Sequence, residues 1–402
     1  LTFFTGPGLL LGQRHVARLL LGTLIGRLPN GMAPVAILLL VTEQGGSLRV
    51  GGLLCAVYGV GSAMGQPVLG RMVDRCGQTL VTSVAVLTTT ACLLALPWAD
   101  VTARPGVAAG LAALAGLSTP PLEPGLRVLW PAVLPDEERR RAALALDTGS
   151  QGLIFVAGPP LAAALSTMVN SIAAMVTTAV LGLLGAAVVL TAAPSRLWRS
   201  TPAAGRSGVL GPLRHGGLRW LFFAMGGVGF ALGALNVWAV ALAERHETGL
   251  LSGLIPAVLA TGSLVGGLLY GRTAWPGTIT AQLITASVLF TLGWLPLIAV
   301  TGPVGATVLA AVPGLFLTAL LTNAFLTAGA LTPVGTTTEA YAWLAASVGT
   351  GQASGTALAG VLAARPVLGA ALPAAGAALA CAVVVGARRR IAGPAAAPRN
   401  RG

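Results

Sequence analysis

GSAMGQPVLGRMVDRCG, residues 61–77, and GSLVGGLLYGR, residues 262–272, share a glycine-spaced pattern that returns after 201 positions. Each copy closes an apolar stretch on an arginine, and the first runs on into a short charged turn, Asp74-Arg75-Cys76-Gly77, ahead of the next apolar run. Self-similarity at a fixed offset means that the chain is built from equivalent halves. The same offset maps Gln151 onto Gln352 and Glu138 onto Glu339, so the halves run in the same direction.

Around this pair the chain is 402 residues long, 55% hydrophobic and 9% charged, with a mean hydropathy of +0.84. Those values exclude an ordinary soluble domain and place the chain in a bilayer, where a spanning helix takes about 20 apolar residues. Twelve such windows are expected: 17–41, 50–71, 79–99, 106–130, 143–166, 170–193, 219–243, 250–271, 277–300, 304–331, 338–363 and 367–387. The polar stretch between the sixth and seventh predicts an N-terminal six-helix bundle over 1–193, a cytoplasmic linker over 194–218, a C-terminal six-helix bundle over 219–387 and a basic tail over 388–402. The expected fold is all-α and membrane-integral, with two bundles related by a pseudo-two-fold axis around a central cavity.

All 24 basic residues are arginine. With both termini cytoplasmic, eighteen face inward and four, Arg49, Arg104, Arg245 and Arg365, face outward. That is the bias of the positive-inside rule. The net charge of +13 therefore reports orientation and contact with anionic headgroups rather than nucleic acid. Abundant Ala, Gly and Leu without lysine point to a GC-rich bacterial coding sequence and hence a bacterial inner membrane. Residues 1–12 have no basic segment before them and are not read as a removable signal. Cys55, Cys76, Cys92 and Cys381 are scattered without CxxC spacing, and the three histidines have no ligand partner in sequence. No metal or cofactor is expected.

The segment Gly70 to Gly77, GRMVDRCG, resembles the loop between helices two and three that marks the major facilitator superfamily: glycine, three residues, Asp, a basic residue, any residue, glycine. Together with the twelve spans, the linker and the repeat, the resemblance covers essentially the whole chain. It implies a transporter working by alternating access, with Asp74 capping helix eleven and Arg75 in a charge network that holds the outward-facing state. Gln78 and Thr79 stand where the family usually has further basic residues, which leaves Arg71 a share in that network. Helix five, with Gly149, Gly152, Gly158, Pro159 and Pro160, resembles the glycine-rich segment of the drug and proton antiporters. A Gly-Pro pair there loosens the hydrogen-bond ladder, so a hinge at Gly158 and Pro159, or a seal against leak, is expected. Pro160-Leu161-Ala162 lacks the terminal glycines usual in that segment.

A charge at the centre of a spanning helix costs about 2.5–3.5 kcal/mol on insertion scales and needs a reason. Arg27 lies mid-helix beside Pro29 and Asn30, as a cavity residue for an anionic group or as half of an internal ion pair. Glu123 and Arg127 have the i,i+4 order that allows pairing. Pro120, Pro121 and Pro124 kink the helix around Glu123, which is the first candidate for a proton-carrying carboxylate. A cytoplasmic-side network with Arg75 is its structural alternative, and Asp147 is a second candidate. Thr336 and Glu339 have capping-box spacing at the start of helix eleven. Asn236, Trp238, Asn323, Trp343 and Gln352 are uncharged candidates for the cavity wall.

These features favour proton-coupled efflux of a small amphipathic molecule, a drug or secondary metabolite, through a monomer whose partners are the bilayer, the substrate and protons. Uptake or facilitated diffusion of a polar or anionic metabolite is the alternative. An enzyme or sensor is remote, because no HExxH, GxSxG or Walker loop occurs.

Overall fold

Hydrocarbon supplies no partner for backbone polar groups, so a spanning segment must satisfy them internally as a helix. The computed structural model describes residues 12–392 apart from 102, 135, 201–210, 248–250, 273–274, 300–301 and 363–365. Its described spanning elements are all helical: α1 (Val16–Glu43), α2 (Leu48–Cys76), α3 (Gln78–Ala95), α4 (Pro105–Leu117 and Leu122–Val133), α5 (Glu137–Met168), α6 (Ser171–Leu190), α7 (Gly216–Arg245), α8 (Leu251–Arg272), α9 (Ile279–Ala299), α10 (Pro303–Leu309 and Ala311–Leu331), α11 (Thr337–Val361) and α12 (Pro366–Gly386). Among the described residues, ten helical spans are long and apolar enough to cross a membrane unaided. The other two are α4, which is broken, and α11, which is rich in Thr, Ser and Gly. The first residues, the middle of the linker and most of the basic tail, with Arg206, Arg365, Arg399 and Arg401, lie outside the described residues.

Helix starts follow local chemistry. Ser47 caps α2 by accepting the Val50 N–H at 3.3 Å. Asn170 caps α6 through Ala173 at 2.7 Å, and Asp136 caps α5 through Glu138 at 3.2 Å. Each side-chain oxygen takes up a first-turn donor that has no carbonyl within its own helix.

Packing repeats with the sequence. In the first half α1 packs on α6, α5 and α2, α2 on α4, and α3 on α6. The same pairs recur six helices later, α7 on α12, α11 and α8, α8 on α10, and α9 on α12. Lipid is as apolar as leucine, so close van der Waals contact must supply the attraction between helices. The repeated glycines do this in both halves. Gly61 and Gly65 face Ala113 and Leu117 of α4, while Gly262 and Gly266 face Ala311 and Leu315 of α10. A methyl group at Gly65 or Gly266 would collide with the carbonyl oxygen of Leu117 or Leu315.

The two bundles meet chiefly through α2 against α11 and α5 against α8, two contacts that the internal symmetry exchanges. Both lie toward the end where the linker emerges: Gly70 abuts Ala342, and Gly271 abuts Ala142. α5 passes through Pro159 and Pro160 as one helix, and Gly158 serves there as a close contact. A methyl group on it would stand 3.0 Å from the Gly31 carbonyl carbon of α1. The break in this half falls in α4.

Gly65→Ala and Gly266→Ala should each destabilise the protein by about 1–3 kcal/mol, read as a lower unfolding midpoint in detergent. Gly52→Ala, at a position with open space around it, should leave the midpoint unchanged or raise it.

Candidate functional site

The break in α4 is chemical in origin. Prolines at 120 and 121 remove two donors, and the chain between the segments is tied down by Gln66 of α2, whose Nε2 donates to the Thr119 carbonyl at 2.9 Å. The second segment therefore begins inside the bundle, with Glu123 in its first turn. A carboxylate at that point lies at the positive end of the helix dipole. One turn on, Arg127 Nη1 lies 2.5 Å from Glu123 Oε1.

Two further helices complete a ring of charges. Arg27 of α1 places Nη2 2.5 Å from Glu123 Oε2 and Nη1 3.5 Å from Asp147 Oδ1 of α5. Arg127 Nε donates to Asp147 Oδ2 at 2.9 Å, and its Nη2 reaches the Thr148 hydroxyl at 3.4 Å. Gln151 approaches Glu123 Oε2 at 3.5 Å. Two arginines and two carboxylates alternate, so the cluster is neutral as a whole and each charge faces two of opposite sign. At 1.5 Å per residue it sits about 15 Å along α1 and α5 from the linker end, deep in the membrane. The side chains are nearly sealed, and Glu123, at 12% exposure, is the most accessible of the four.

A second constellation closes the linker end. Gly77, with φ of 89°, turns the chain between α2 and α3 in a region that a side chain would disfavour. Asp74 accepts the Thr338 N–H at 3.1 Å and the Glu339 N–H at 2.9 Å, so a carboxylate of one bundle caps a helix of the other. Arg71 makes a two-pronged contact with Glu339, at 2.5 Å and 3.0 Å, and Trp343 Nε1 adds a longer contact to the same carboxylate at 3.4 Å. The capping box expected between Thr336 and Glu339 does not form. The Thr336 hydroxyl donates to the Pro333 carbonyl at 2.9 Å, because Asp74 already holds the first-turn donors and Arg71 draws the Glu339 carboxylate away. Arg75 is exposed, and the arginine that reaches Glu339 across the bundles is Arg71.

Arg27, Glu123, Arg127 and Asp147 thus come together, as do Gly70, Asp74 and Glu339 with Trp343 against them, while Gly77 faces Arg199. The remaining candidates lie elsewhere. Asn30 lines a small cavity of about 10 Å³ with Gly26, Pro29, Thr89 and Thr119, on the other side of Arg27 from the linker. Asn323 faces into the C-terminal bundle, where the Tyr270 hydroxyl lies 3.0 Å from its carbonyl oxygen and Nδ2 donates to Ala319. That hydroxyl also lies 3.1 Å from Gln282 Oε1, and Gln282 Nε2 holds the Trp275 carbonyl at 2.7 Å. Trp238 borders a narrow groove with Arg245 and Gly369. Gln352 contributes backbone against Gly229 and Gly233, and Asn236 is half-buried. Sequence reasoning missed Phe325 of α10, whose ring lies 3.5 Å from Arg127 Cζ. Nothing in a single apolar helix distinguishes one phenylalanine from the next.

The family model described as Major Facilitator Superfamily matches residues 19–312. No curated protein sequence matches the chain. Among solved structures it is similar to a bacterial homologue of the iron transporter ferroportin in the outward-facing state, with 15% identity, a TM-score of 0.71, and 93% of this chain and 99% of that one covered. The human organic anion transporter MFSD10 (TETRAN) gives 16%, 0.65, 92% and 98%. The E. coli fucose:proton symporter gives 13%, 0.68, 93% and 98%. At such identities the likeness is one of fold.

Removing one member of a buried ion cluster leaves its partner uncompensated, a loss of about 3–5 kcal/mol. Arg27→Met alone should therefore depress the unfolding midpoint strongly, and adding Glu123→Gln should recover part of the loss. A double variant no better than the single one would contradict the pairing. Asp74→Ala should loosen the linker end, raising the reactivity of a cysteine introduced at Ala342 toward a water-soluble maleimide.

Proposed function

Because the chain belongs to the major facilitator superfamily, whose members are secondary transporters working by alternating access rather than enzymes, we propose that it is a proton-coupled exporter of small amphipathic molecules. Glu123 carries this reading. It is the one member of the buried ring with appreciable access, it stands at the start of an interrupted helix, and it bridges both arginines. A proton on Glu123 would leave two guanidinium groups sharing Asp147 and upset the balance of the ring. A group that takes up a proton with that consequence can couple proton movement to rearrangement of the helices around it. The glycine and proline run in α5 supports export over import through its resemblance to the antiporter segment. The orientation that fits is a bacterial cell membrane with the linker and both termini on the cytoplasmic side, which puts the Asp74 and Arg71 contacts at the cytoplasmic end and describes an outward-facing or occluded state.

One observation favours uptake of an anionic solute instead. Among the described residues Arg27 Nε is buried without a hydrogen-bond partner, a donor that a carboxylate or phosphate could take.

Transport of a panel of amphipathic cations, neutral amphipaths and organic anions by proteoliposomes, with and without an imposed pH gradient, tests both readings. The expected result is gradient-driven movement of an amphipath that Glu123→Gln abolishes, while exchange of the same compound at equal pH continues. Movement that ignores both gradient and variant would establish a facilitator and leave Glu123 a structural charge.

A further inference from the structure

Arg127 meets polar groups around the edge of its guanidinium. Its Nε and Nη1 face Asp147 and Glu123, and Nη2 faces Thr148. The flat face of the guanidinium offers no hydrogen bond, and an aromatic ring can meet it. Phe325 lies against that face, with its ring centroid 3.5 Å from Cζ. Tyr341 packs edge-on to Phe325, at 5.7 Å between centroids and 78° between planes. All three side chains are largely or fully buried.

The contact crosses between the bundles. Arg127 belongs to α4, Phe325 to α10 and Tyr341 to α11. Along α11, Tyr341 follows Glu339 of the linker-end contacts by two residues, whereas Phe325 touches the charge ring. The aromatic pair therefore forms a layer between the two constellations. Arg71 keeps 25% of its side chain exposed beside the buried Glu339, whereas Arg127 and Phe325 are both buried, where a cation–π contact is strongest.

We propose that Phe325 and Tyr341 form an inner gate at the linker end of the transport path, held shut by the face of Arg127. Parting the bundles at this end moves α10 and α11 away from α4, so the contact exists only in the closed arrangement and adds to its population. Phe325 is a positioning residue here, acting on the bundles through Arg127. The device depends on alternating access alone, and it stands whether or not protons drive the cycle.

The test uses the full chain in nanodiscs, with its four cysteines replaced and spin labels at Met72→Cys and Val334→Cys, two exposed positions at the linker end. Pulsed electron paramagnetic resonance then gives the ratio of closed to parted arrangements without any substrate. Phe325 is replaced by mono-, di- and trifluorophenylalanine, which keep the ring's shape while withdrawing charge from its face. The closed fraction should fall stepwise along the series, by roughly 2- to 30-fold in total ratio, and Phe325→Trp should hold or raise it. An unchanged ratio along the series would overturn the proposal. So would a drop with Phe325→Leu that the fluorinated rings do not share, since that would reduce the contact to apolar packing.

Discussion

Charge balance at membrane depth is the constraint on which the N-terminal bundle rests. Four ionised side chains from three helices meet where a lone charge is costly, and only their alternation makes the arrangement tolerable. The ring fixes how α1, α4 and α5 stand relative to one another more narrowly than apolar contact could, since a guanidinium satisfies a carboxylate only at a defined distance and angle. The break in α4 serves the same end. It creates a helix start inside the bundle, and the positive end of the helix dipole there favours the carboxylate that both arginines need.

The linker end is closed in layers of different physical kind. Outermost are the Asp74 cap and the Arg71–Glu339 pair, in which a partly exposed arginine meets a buried carboxylate. Beneath them lies the aromatic pair Phe325 and Tyr341, and beneath that the charge ring. Alternating access requires interfaces that hold and also release. A stack of modest contacts, each dependent on the bundles meeting, gives a closed state without one bond strong enough to make it permanent.

The two halves share a scaffold but differ in chemistry. Glycines 61 and 65 and their counterparts 262 and 266 make the same helix crossing in each bundle, so the repeat preserves packing. The polar centres diverge. Positions 123 and 127 are charged in α4, and the C-terminal bundle instead buries the neutral group Tyr270, Gln282 and Asn323, which ties the turn after α8 to α10. Charge and its consequences are concentrated in one half, and the other provides the surface against which that half closes.

The sequence by itself determined the membrane class, the twelve spans, the paired halves and the family resemblance, because hydrophobic length, glycine spacing and the signature loop are local patterns along the chain. It also singled out Arg27, Glu123, Arg127 and Asp147 one by one, since a charge in an apolar helix is conspicuous wherever it falls. Apart from the i,i+4 pair of Glu123 and Arg127, which the sequence already offered, their partners were decided only by the tertiary structure. Asp147 is 120 positions from Arg27 and Glu339 is 268 from Arg71, and uniformly apolar helices carry no periodicity to say which faces turn inward. The supposed capping box failed for the same reason: Thr336 and Glu339 have the right spacing, but Asp74, distant in sequence, reaches the helix start first. Phe325 was invisible until folding set it on Arg127, because an aromatic ring becomes a partner for a cation only through where it is placed.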